Sequence, residues 1–194
     1  ELSLQNFDGL YLIYVLQELG LGLIMGFVLQ LVFQIFVLGG QIISFQAGLG
    51  FAVMNDPESQ ASVPFVSYFY MTMVTLVFLA MDGHLVFLDT LLSSFEKMPI
   101  GHVHFNDSIL GGVINFSGWM FKKALLIAIP ATLSLLIVSL AFGIMTRVSP
   151  QLNIFSLGFP ITILMGFVII KIGLPNVGTQ MVECIEHGLH FIQE

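Results

Sequence analysis

The residues best able to carry out chemistry in this chain lie between long apolar stretches. Asp82, Gly83 and His84 follow one another, and Asp89 lies further along. Ionisable groups in this setting are candidates for proton transfer, because an imidazole exchanges protons near neutral pH. Gly83 equally predicts a helix break with Asp82 and His84 at its mouth. This structural interpretation is favoured, because charge beside a loop costs little.

Histidine and cysteine residues form two groups that deserve comparison with metal sites. They are His102 and His104 in a predicted loop, and Glu183, Cys184, His187 and His190 on a predicted terminal helix. Cys184 and His187 occupy neighbouring helical faces, but His190 is rotated away from Cys184. Two histidines and one cysteine do not complete a structural zinc site, so we expect no metal.

Short catalytic and nucleotide-binding motifs are missing from the sequence. It has no nucleophile elbow, no H-E-x-x-H, no phosphate loop and no dinucleotide fingerprint. Ser117 and Ser156 lie in apolar stretches without an obvious histidine partner. We therefore expect neither an enzyme nor a cofactor. Cys184 is the single cysteine, which excludes an internal disulfide.

Composition excludes most classes of soluble protein. Of 194 residues, five are Lys or Arg and twelve are Asp or Glu, so 9% are charged, whereas 57% are hydrophobic. The mean hydropathy is +0.98. A soluble domain of this size cannot bury so much apolar surface, and a disordered chain has the opposite composition. The net charge of −7 repels phosphate, so we expect a membrane-associated protein that binds no nucleic acid.

The apolar stretches predict an all-α fold of four to six helices arranged as hairpins. A helix crosses the hydrocarbon core with about 20 mostly apolar residues, and the candidates are residues 19–38, 65–81, 124–146 and 154–170. Several are interrupted: Gly39 and Gly40 follow the first, Pro130 lies in the third, and Gly158 and Pro160 lie in the fourth. We therefore expect broken helices that pack mainly on protein, since freed backbone groups need partners.

Polar residues mark the turns between these helices. Arg147 begins a tight turn that contains Pro150, and Pro160 lies near the start of the next helix. A short turn between two apolar helices predicts an antiparallel hairpin. Pro64 is predicted to open a helix, and Asp107 or Ser108 to cap another.

Small and amide side chains form a stripe along the first predicted helix. Its residues are Gly22, Gly26, Gln30, Gln34 and Gln41. Small residues let helix backbones approach closely, and amides form hydrogen bonds between helices. Helix packing is the simpler interpretation, and a polar pore wall is the alternative.

A glycine-rich segment with aromatic and methionine residues lies between the first two predicted helices. Its notable residues are Gly48, Gly50, Phe51, Met54, Asp56, Pro57 and Pro64. Glycine frees the backbone, whereas Phe and Met form deformable apolar surfaces. Core filling and a deformable seal are both open interpretations.

Together, several of these motifs resemble one family. They are the run from Gly39 to Ala52, Asp56-Pro57-x-Ser59, Pro64, Asp82-Gly83-His84, Pro99-Ile100-Gly101, the run from Ala124 to Pro130 and the run from Arg147 to Pro160. The chain resembles the R subunit of the flagellar type III export gate, the FliR family. That family usually has Asn-Gly-His at the position of Asp82-Gly83-His84.

The resemblance implies a structural subunit that joins P-type and Q-type subunits in a helical channel for unfolded flagellar proteins. It also implies contacts with the B-type export-switch subunit and the A-type export-gate subunit, in the flagellar basal body at the bacterial inner membrane. The R subunit resembles a fusion, which implies a P-like region at 1–107 and a Q-like region at 108–194. Segment 48–64 would be a plug that projects into the channel. Family members carry a further N-terminal helical stretch, so we expect a truncated fragment.

Other functional classes remain alternatives to this interpretation. An injectisome gate subunit would share the motifs, and a secondary transporter or ion channel would share the broken helices and buried polar groups. A transporter predicts paired interruptions in an inverted repeat, and none is detectable. An intramembrane enzyme would need a convergent Ser/His or acidic pair.

Overall fold

The protein is described by a computed structural model at residues 9–49, 64–97, 107–148 and 158–193. These ranges contain five α-helices and no strand. The helices are α1 (Gly9–Gln46), α2 (Phe65–Ala80), α3 (Gly83–Lys97), α4 (Asp107–Val148) and α5 (Phe159–Gln193). The predicted all-α class is therefore confirmed.

Helix α1 lies at the centre and packs against α2, α4 and α5. Its apolar residues recur at helical spacing, so one side of the helix is buried over several turns. That side includes Val28, Val32, Ile35, Phe36 and Ile43, each no more than 1% exposed. Because helices from both halves of the chain cover it, residues before and after Asp107 share one core.

Close contacts show the relative directions of the helices. Near Gly39 of α1 lies the carbonyl of Ala124 in α4, and near Gly188 of α5 lies the side chain of Val32 in α1. Further along α1, Ala47 lies against Gly166 of α5. Helix α5 is therefore antiparallel to α1. It is also antiparallel to α4, because Phe191 lies near Gly112 and Gly166 lies near Leu135, in agreement with the predicted hairpin.

The predicted interruption at Gly39 and Gly40 is not present. Helix α1 continues through both glycines to Gln46. A Cβ on Gly40 would lie 2.7 Å from the Cα of Ser67, so this glycine permits the crossing of α1 and α2. Glycine serves close packing at this site rather than a change of direction.

The break between α2 and α3 lies where Gly83 predicts one. The two helices are bent by 67° across it. Asp82 has a φ of +54°, in the left-handed region that Asp tolerates better than most residues. Its carbonyl accepts hydrogen bonds from the backbone N–H groups of Leu85 and Val86, which fixes the start of α3.

Prolines interrupt the long helices less than the sequence suggests. Pro160 is the second residue of α5, where its missing N–H group has no helical partner to lose. Pro130 lies inside the continuous α4, and Pro175 lies inside α5. The predicted segments 19–38 and 124–146 therefore each lie within a longer helix, α1 and α4. Residues 159–170 of the fourth segment lie in α5, whereas 65–81 corresponds to α2 and the residue after it.

In the part of the chain that the structure describes, three helices are long and apolar enough to cross a membrane. They contain the stretches Leu12–Gln46, Ile109–Val148 and Phe159–Gln193. The bent pair α2 and α3 would make a fourth if it acts as one span. Length and composition thus support a membrane protein.

Candidate gating and subunit-contact surfaces

The segment 48–64 is described at its two ends. Gly50, Phe51, Met54, Asp56 and Pro57 lie outside the described residues, whereas Gly48 and Pro64 lie within them. The candidate site is therefore defined by how the helices hold these ends.

Helix α1 ends at Gln46, and Gly48 lies two residues beyond its end with a defined backbone geometry. The Leu49 N–H donates to the Ser44 carbonyl at 2.9 Å, and the Gly48 N–H donates to the Phe45 carbonyl at 3.2 Å. Gly48 has a φ of +80°. This is the Schellman pattern of helix termination, and it favours glycine because other residues are strained at positive φ. The direction in which the chain leaves α1 is therefore set by local bonds.

Both ends of the segment lie beside the first turns of α5. A Cβ on Gly48 would lie 3.2 Å from the Phe159 ring, and a Cβ on Gly166 would lie 2.9 Å from the Cβ of Ala47. At the other end, Phe65 packs edge-on against Phe167, with ring centroids 6.2 Å apart. Any movement of α5 would therefore be transmitted to both ends of the segment.

Pro64 opens α2, as the sequence predicts. It adopts an extended conformation before the helix, and its carbonyl accepts the first helical bond from the Tyr68 N–H at 3.2 Å. Pro64 itself is buried. The fixed φ of proline suits this position, so the exit from the segment is as constrained as its entrance.

The predicted stripe of small and amide side chains lies on α1, and its residues are in two different environments; we call it the α1 stripe. Gly22, Gly26 and Gln30 are exposed, and no atom would lie within 4 Å of a Cβ on either glycine. Gln34 and Gln41 are half-buried. Among the described residues, no atom of another helix therefore lies close to the two glycines of the stripe.

Large apolar side chains surround this uncovered part of the stripe. They include Leu16, Leu19, Leu23 and Phe27, which are 47–74% exposed. Helix α4 has a comparable face beyond Pro130, and Ile137 and Ile144 are each 67% exposed there. Such surfaces are stable against lipid or against another protein, but not against water.

A family model for bacterial export proteins, family 1, matches residues 2–188, a range that includes α1 to α4 and most of α5. The chain belongs to the FliR family of bacterial export proteins. Flagellar biosynthetic protein FliR of Buchnera aphidicola subsp. Baizongia pistaciae is 31% identical over 174 residues, which cover 90% of this chain and 67% of that protein. FliR of Escherichia coli K12 is 32% identical over 82% of this chain and 61% of its own length. FliR of Borreliella burgdorferi is 31% identical over 92% of this chain and 68% of its own length.

The chain spans about two thirds of the length of these FliR proteins. The matched region nevertheless contains all the surfaces described above. The resemblance inferred from short motifs is therefore confirmed at the level of the family.

The geometry at Asp82 suggests a physical role for this position in the FliR family. The resemblance expects Asn here, and Asn and Asp are the two residues that best tolerate a left-handed backbone without being glycine. Gly83 packs against the Phe78 ring with no room for a side chain. Asp82 is exposed and His84 is half-buried, and no described residue forms a hydrogen bond with its Nδ1. The arrangement therefore explains the bend without a proton relay.

A polar cluster between α4 and α5 includes the predicted group Glu183, Cys184 and His187, together with Lys123 and Trp119, which sequence reasoning missed. Lys123 forms an ion pair with Glu183 at 3.7 Å, and the Trp119 ring packs against His187 with centroids 4.4 Å apart. Buried Cys184 lies next to Glu183 in the chain. No group of three His, Cys, Asp or Glu within the described ranges is placed to hold a metal ion. Only the antiparallel register of α4 and α5 brings these residues together, so no pattern within either helix predicts these contacts.

The turn that joins α4 to α5 is described only at its edges. Arg147 is exposed near the end of α4, and Pro160 lies in the first turn of α5. Pro150, like His102 and His104, lies outside the described residues.

Proposed function

We propose that this chain is a channel-forming, non-enzymatic subunit of the flagellar type III export gate. It would pass unfolded flagellar proteins across the bacterial inner membrane, within the basal body. Membership of the FliR family and the flagellar names of its relatives support this function. The proposal extends to the whole protein, of which the chain spans about two thirds.

The uncovered N-terminal half of α1 is the observation that best supports an assembled channel. At the level of Lys123 and Glu183, charged groups meet between α4 and α5. Gly39 of α1 lies beside the neighbouring Ala124, so the part of α1 before Gly39 extends from there alongside the charged C-terminal half of α5. Exposed leucines beside charged residues of a neighbouring helix are poorly suited to lipid and need protein partners.

The part of the α4–α5 hairpin between the ion pair and the turn that joins the two helices suits the hydrocarbon core. Residues 124–148 of α4 extend about 37 Å at 1.5 Å per residue, enough for a core of about 30 Å. The facing part of α5 contains one charge, Lys171, whose exposed side chain can extend toward the interface. In this arrangement the α4–α5 hairpin enters the membrane, and α1 contacts other subunits through its stripe.

The partners that this arrangement suits are the P-type and Q-type subunits of the gate, with the B-type and A-type subunits as further contacts. Region 1–107 would occupy a P-like position in the ring and region 108–194 a Q-like position. The boundary falls at the start of α4, although both regions contribute to one core. The segment 48–64 would seal the channel, because a seal for a bulky chain must be apolar and deformable.

Deletion of Gly50–Glu58 in the full-length protein tests the seal. We expect the closed gate to leak small ions, measured as membrane depolarisation or slowed growth in high salt. Replacement of exposed Phe45 by alanine, just before the segment, is the matched control and should leave permeability unchanged. Unchanged ion permeability after the deletion would remove the plug from the proposal.

Cysteine substitution along α1 tests the subunit contacts. Positions Gly22, Gly26 and Gln30 should be protected from thiol reagents when P-type and Q-type subunits are coexpressed, and labelled when they are absent. The native Cys184 is buried and serves as an unlabelled internal reference. Equal labelling in both cases, or a monodisperse monomer that binds a small solute, would favour a transporter instead.

A further inference from the structure

A cavity of about 260 Å³ lies beside the N-terminal half of α1, where side chains of α3, α4 and α5 approach it. Its α1 wall is apolar and consists of Leu21, Ile24, Met25 and Val28. The volume is below the range of about 300–1,000 Å³ that is typical of pockets for drug-sized ligands. The cavity therefore suits a single long side chain better than a small organic molecule.

The polar side chains that line the cavity from α3 already donate to their own helix. The hydroxyls of Thr90, Ser93 and Ser94 each donate to a backbone carbonyl three or four residues earlier, at 2.7–2.9 Å. A hydroxyl has a single proton, so none of the three remains a donor for another group at the cavity. A further donor has to come from outside α3.

Two acceptor atoms without a donor lie on α1, one turn before the cavity. Glu18 precedes Leu21 by three residues and Met25 by seven, and Gln17 precedes Leu21 by four, so both side chains continue the face that lines the cavity. The Oε1 atoms of Gln17 and Glu18 are buried, and no described residue forms a hydrogen bond with either. An ionised oxygen that loses water without gaining a donor is strongly unfavourable. Glu18 as a whole is half-buried, so a partner side chain can still reach its carboxylate.

Glu18 is the only charged residue of α1, and most cations of this chain lie far from it. Four of the five Lys and Arg residues belong to α4 and α5, and they are Lys122, Lys123, Arg147 and Lys171. Because Gly39 lies beside Ala124 and Ala47 lies beside Gly166, these four are about 30 Å or more from Glu18 along α1, at 1.5 Å per residue. Charge complementarity therefore favours a cation from another subunit.

We propose that a helix of a neighbouring gate subunit inserts one arginine or lysine side chain into this cavity. The inference rests on the proposed function, in which the N-terminal half of α1 contacts other subunits. The basic head donates to the Glu18 carboxylate and the Gln17 amide oxygen, while the aliphatic stem lies along Leu21 and Met25. Gly22, one turn beyond Glu18, leaves open space for the backbone of the partner helix. A lipid acyl chain would fill the apolar part of the cavity but would offer no donor to Glu18.

Charge reversal at Glu18 of the full-length protein tests the contact. Glu18→Arg should lower the recovery of P-type and Q-type subunits in a pull-down by roughly tenfold or more, since two cations would then meet in a cavity sheltered from water. Glu186→Arg makes the same change at an exposed position that does not line the cavity, and it should retain both subunits.

Three outcomes of this pull-down would overturn the inference. Full recovery with Glu18→Arg would mean that lipid or an apolar side chain fills the cavity. Equal loss with both variants would show a general effect of charge. If the unaltered protein retains neither subunit, the proposed function fails as well, which separates that result from the other two.

Charge exchange identifies the partner residue. In the presence of Glu18→Arg, the Lys and Arg residues of the P-type and Q-type subunits are changed one at a time to glutamate. One of these changes should restore most of the recovery, because the ion pair forms again with its charges reversed. Restoration by none of them would contradict the proposal.

Glu18→Gln separates pairing between subunits from pairing within the protein. In the full-length protein without its partners, the unfolding midpoint in detergent should stay unchanged or rise, because an amide without a partner costs less than a carboxylate. A lower midpoint would mean that a cation of the protein itself, such as Lys97 at the end of α3, already pairs with Glu18, and it would overturn the proposal.

Discussion

The two halves of α1 have similar sequences and opposite environments. In the C-terminal half, Gly39 lies against α4 and Gly40 lies against α2, in the centre of the core. In the N-terminal half, Gly22 and Gly26 have open space around them, and Leu23 beside them is 74% exposed. Small residues therefore mark close helix contacts within the chain only in the C-terminal half, and we propose that they serve the same purpose in the N-terminal half. In the first case the partner helix belongs to the same chain, and in the second we propose that it belongs to another subunit.

The largest effect is expected from Gly40→Ala. A Cβ at this position would meet backbone atoms of α2, which cannot move aside without separating the two helices. We expect a loss of about 2–3 kcal/mol in the free energy of unfolding, measured by denaturant titration in detergent.

Gly22→Ala is the matched control for this change. It adds the same methyl group to the same helix where no atom lies within 4 Å. The better helix propensity of alanine should make it neutral or stabilising by up to about 1 kcal/mol. Equal destabilisation by both substitutions would contradict the distinction between the two halves.

The next effect concerns assembly rather than folding. Gly26→Leu should leave the unfolding of the separate protein unchanged, because the site is uncovered. If a partner helix packs there, recovery of P-type and Q-type subunits in a pull-down should fall roughly tenfold, since close approach becomes impossible. Leu23→Ile, an exposed neighbour of similar volume, is the control. Normal assembly of Gly26→Leu would mean that the uncovered half faces lipid.

A smaller effect is expected at Asp82, where α2 and α3 are separated by a break. At Gly39 and Gly40, by contrast, the helix is continuous. Asp82→Val places a β-branched residue in the left-handed region and should destabilise the fold by about 1–2 kcal/mol. Asp82→Asn should be nearly neutral, because Asn tolerates the same conformation. Comparison of the two unfolding midpoints measures the backbone contribution. A loss with Asn as large as with Val would instead indicate a role for the carboxylate.

The smallest effect is expected at the ion pair between Lys123 of α4 and Glu183 of α5. Lys123→Ala removes the ion pair with Glu183, which is half exposed and should contribute no more than about 1 kcal/mol. If this pair lies at the membrane surface, a thiol probe at the neighbouring Lys122 position should react with water-soluble reagents, whereas a probe at Leu133 should not. Reaction at both positions would place the hydrocarbon core elsewhere.

Sequence reasoning succeeded where local physics decides the outcome. Pro64 opens a helix because its φ is fixed, and Gly83 lies at a bend because no side chain fits against Phe78. Sequence reasoning wrongly predicted that Gly39 and Pro130 interrupt their helices. Whether such a residue breaks a helix depends on which helices pack beside it. Pro175 and the Lys123–Glu183 pair were overlooked, because they acquire meaning only through the register of α4 and α5.

Composition alone determined the class of the molecule. Seventeen charges, five Lys or Arg and twelve Asp or Glu, cannot cover 194 residues in water, and apolar runs of helical length leave an all-α membrane-associated chain. The tertiary structure decided which apolar and small residues are internal and which are uncovered. That division depends on contacts such as Gly40 with Ser67 and Gly188 with Val32, between residues far apart in sequence. Periodicity reports that a helix has an apolar face, but only packing determines whether the same chain covers it.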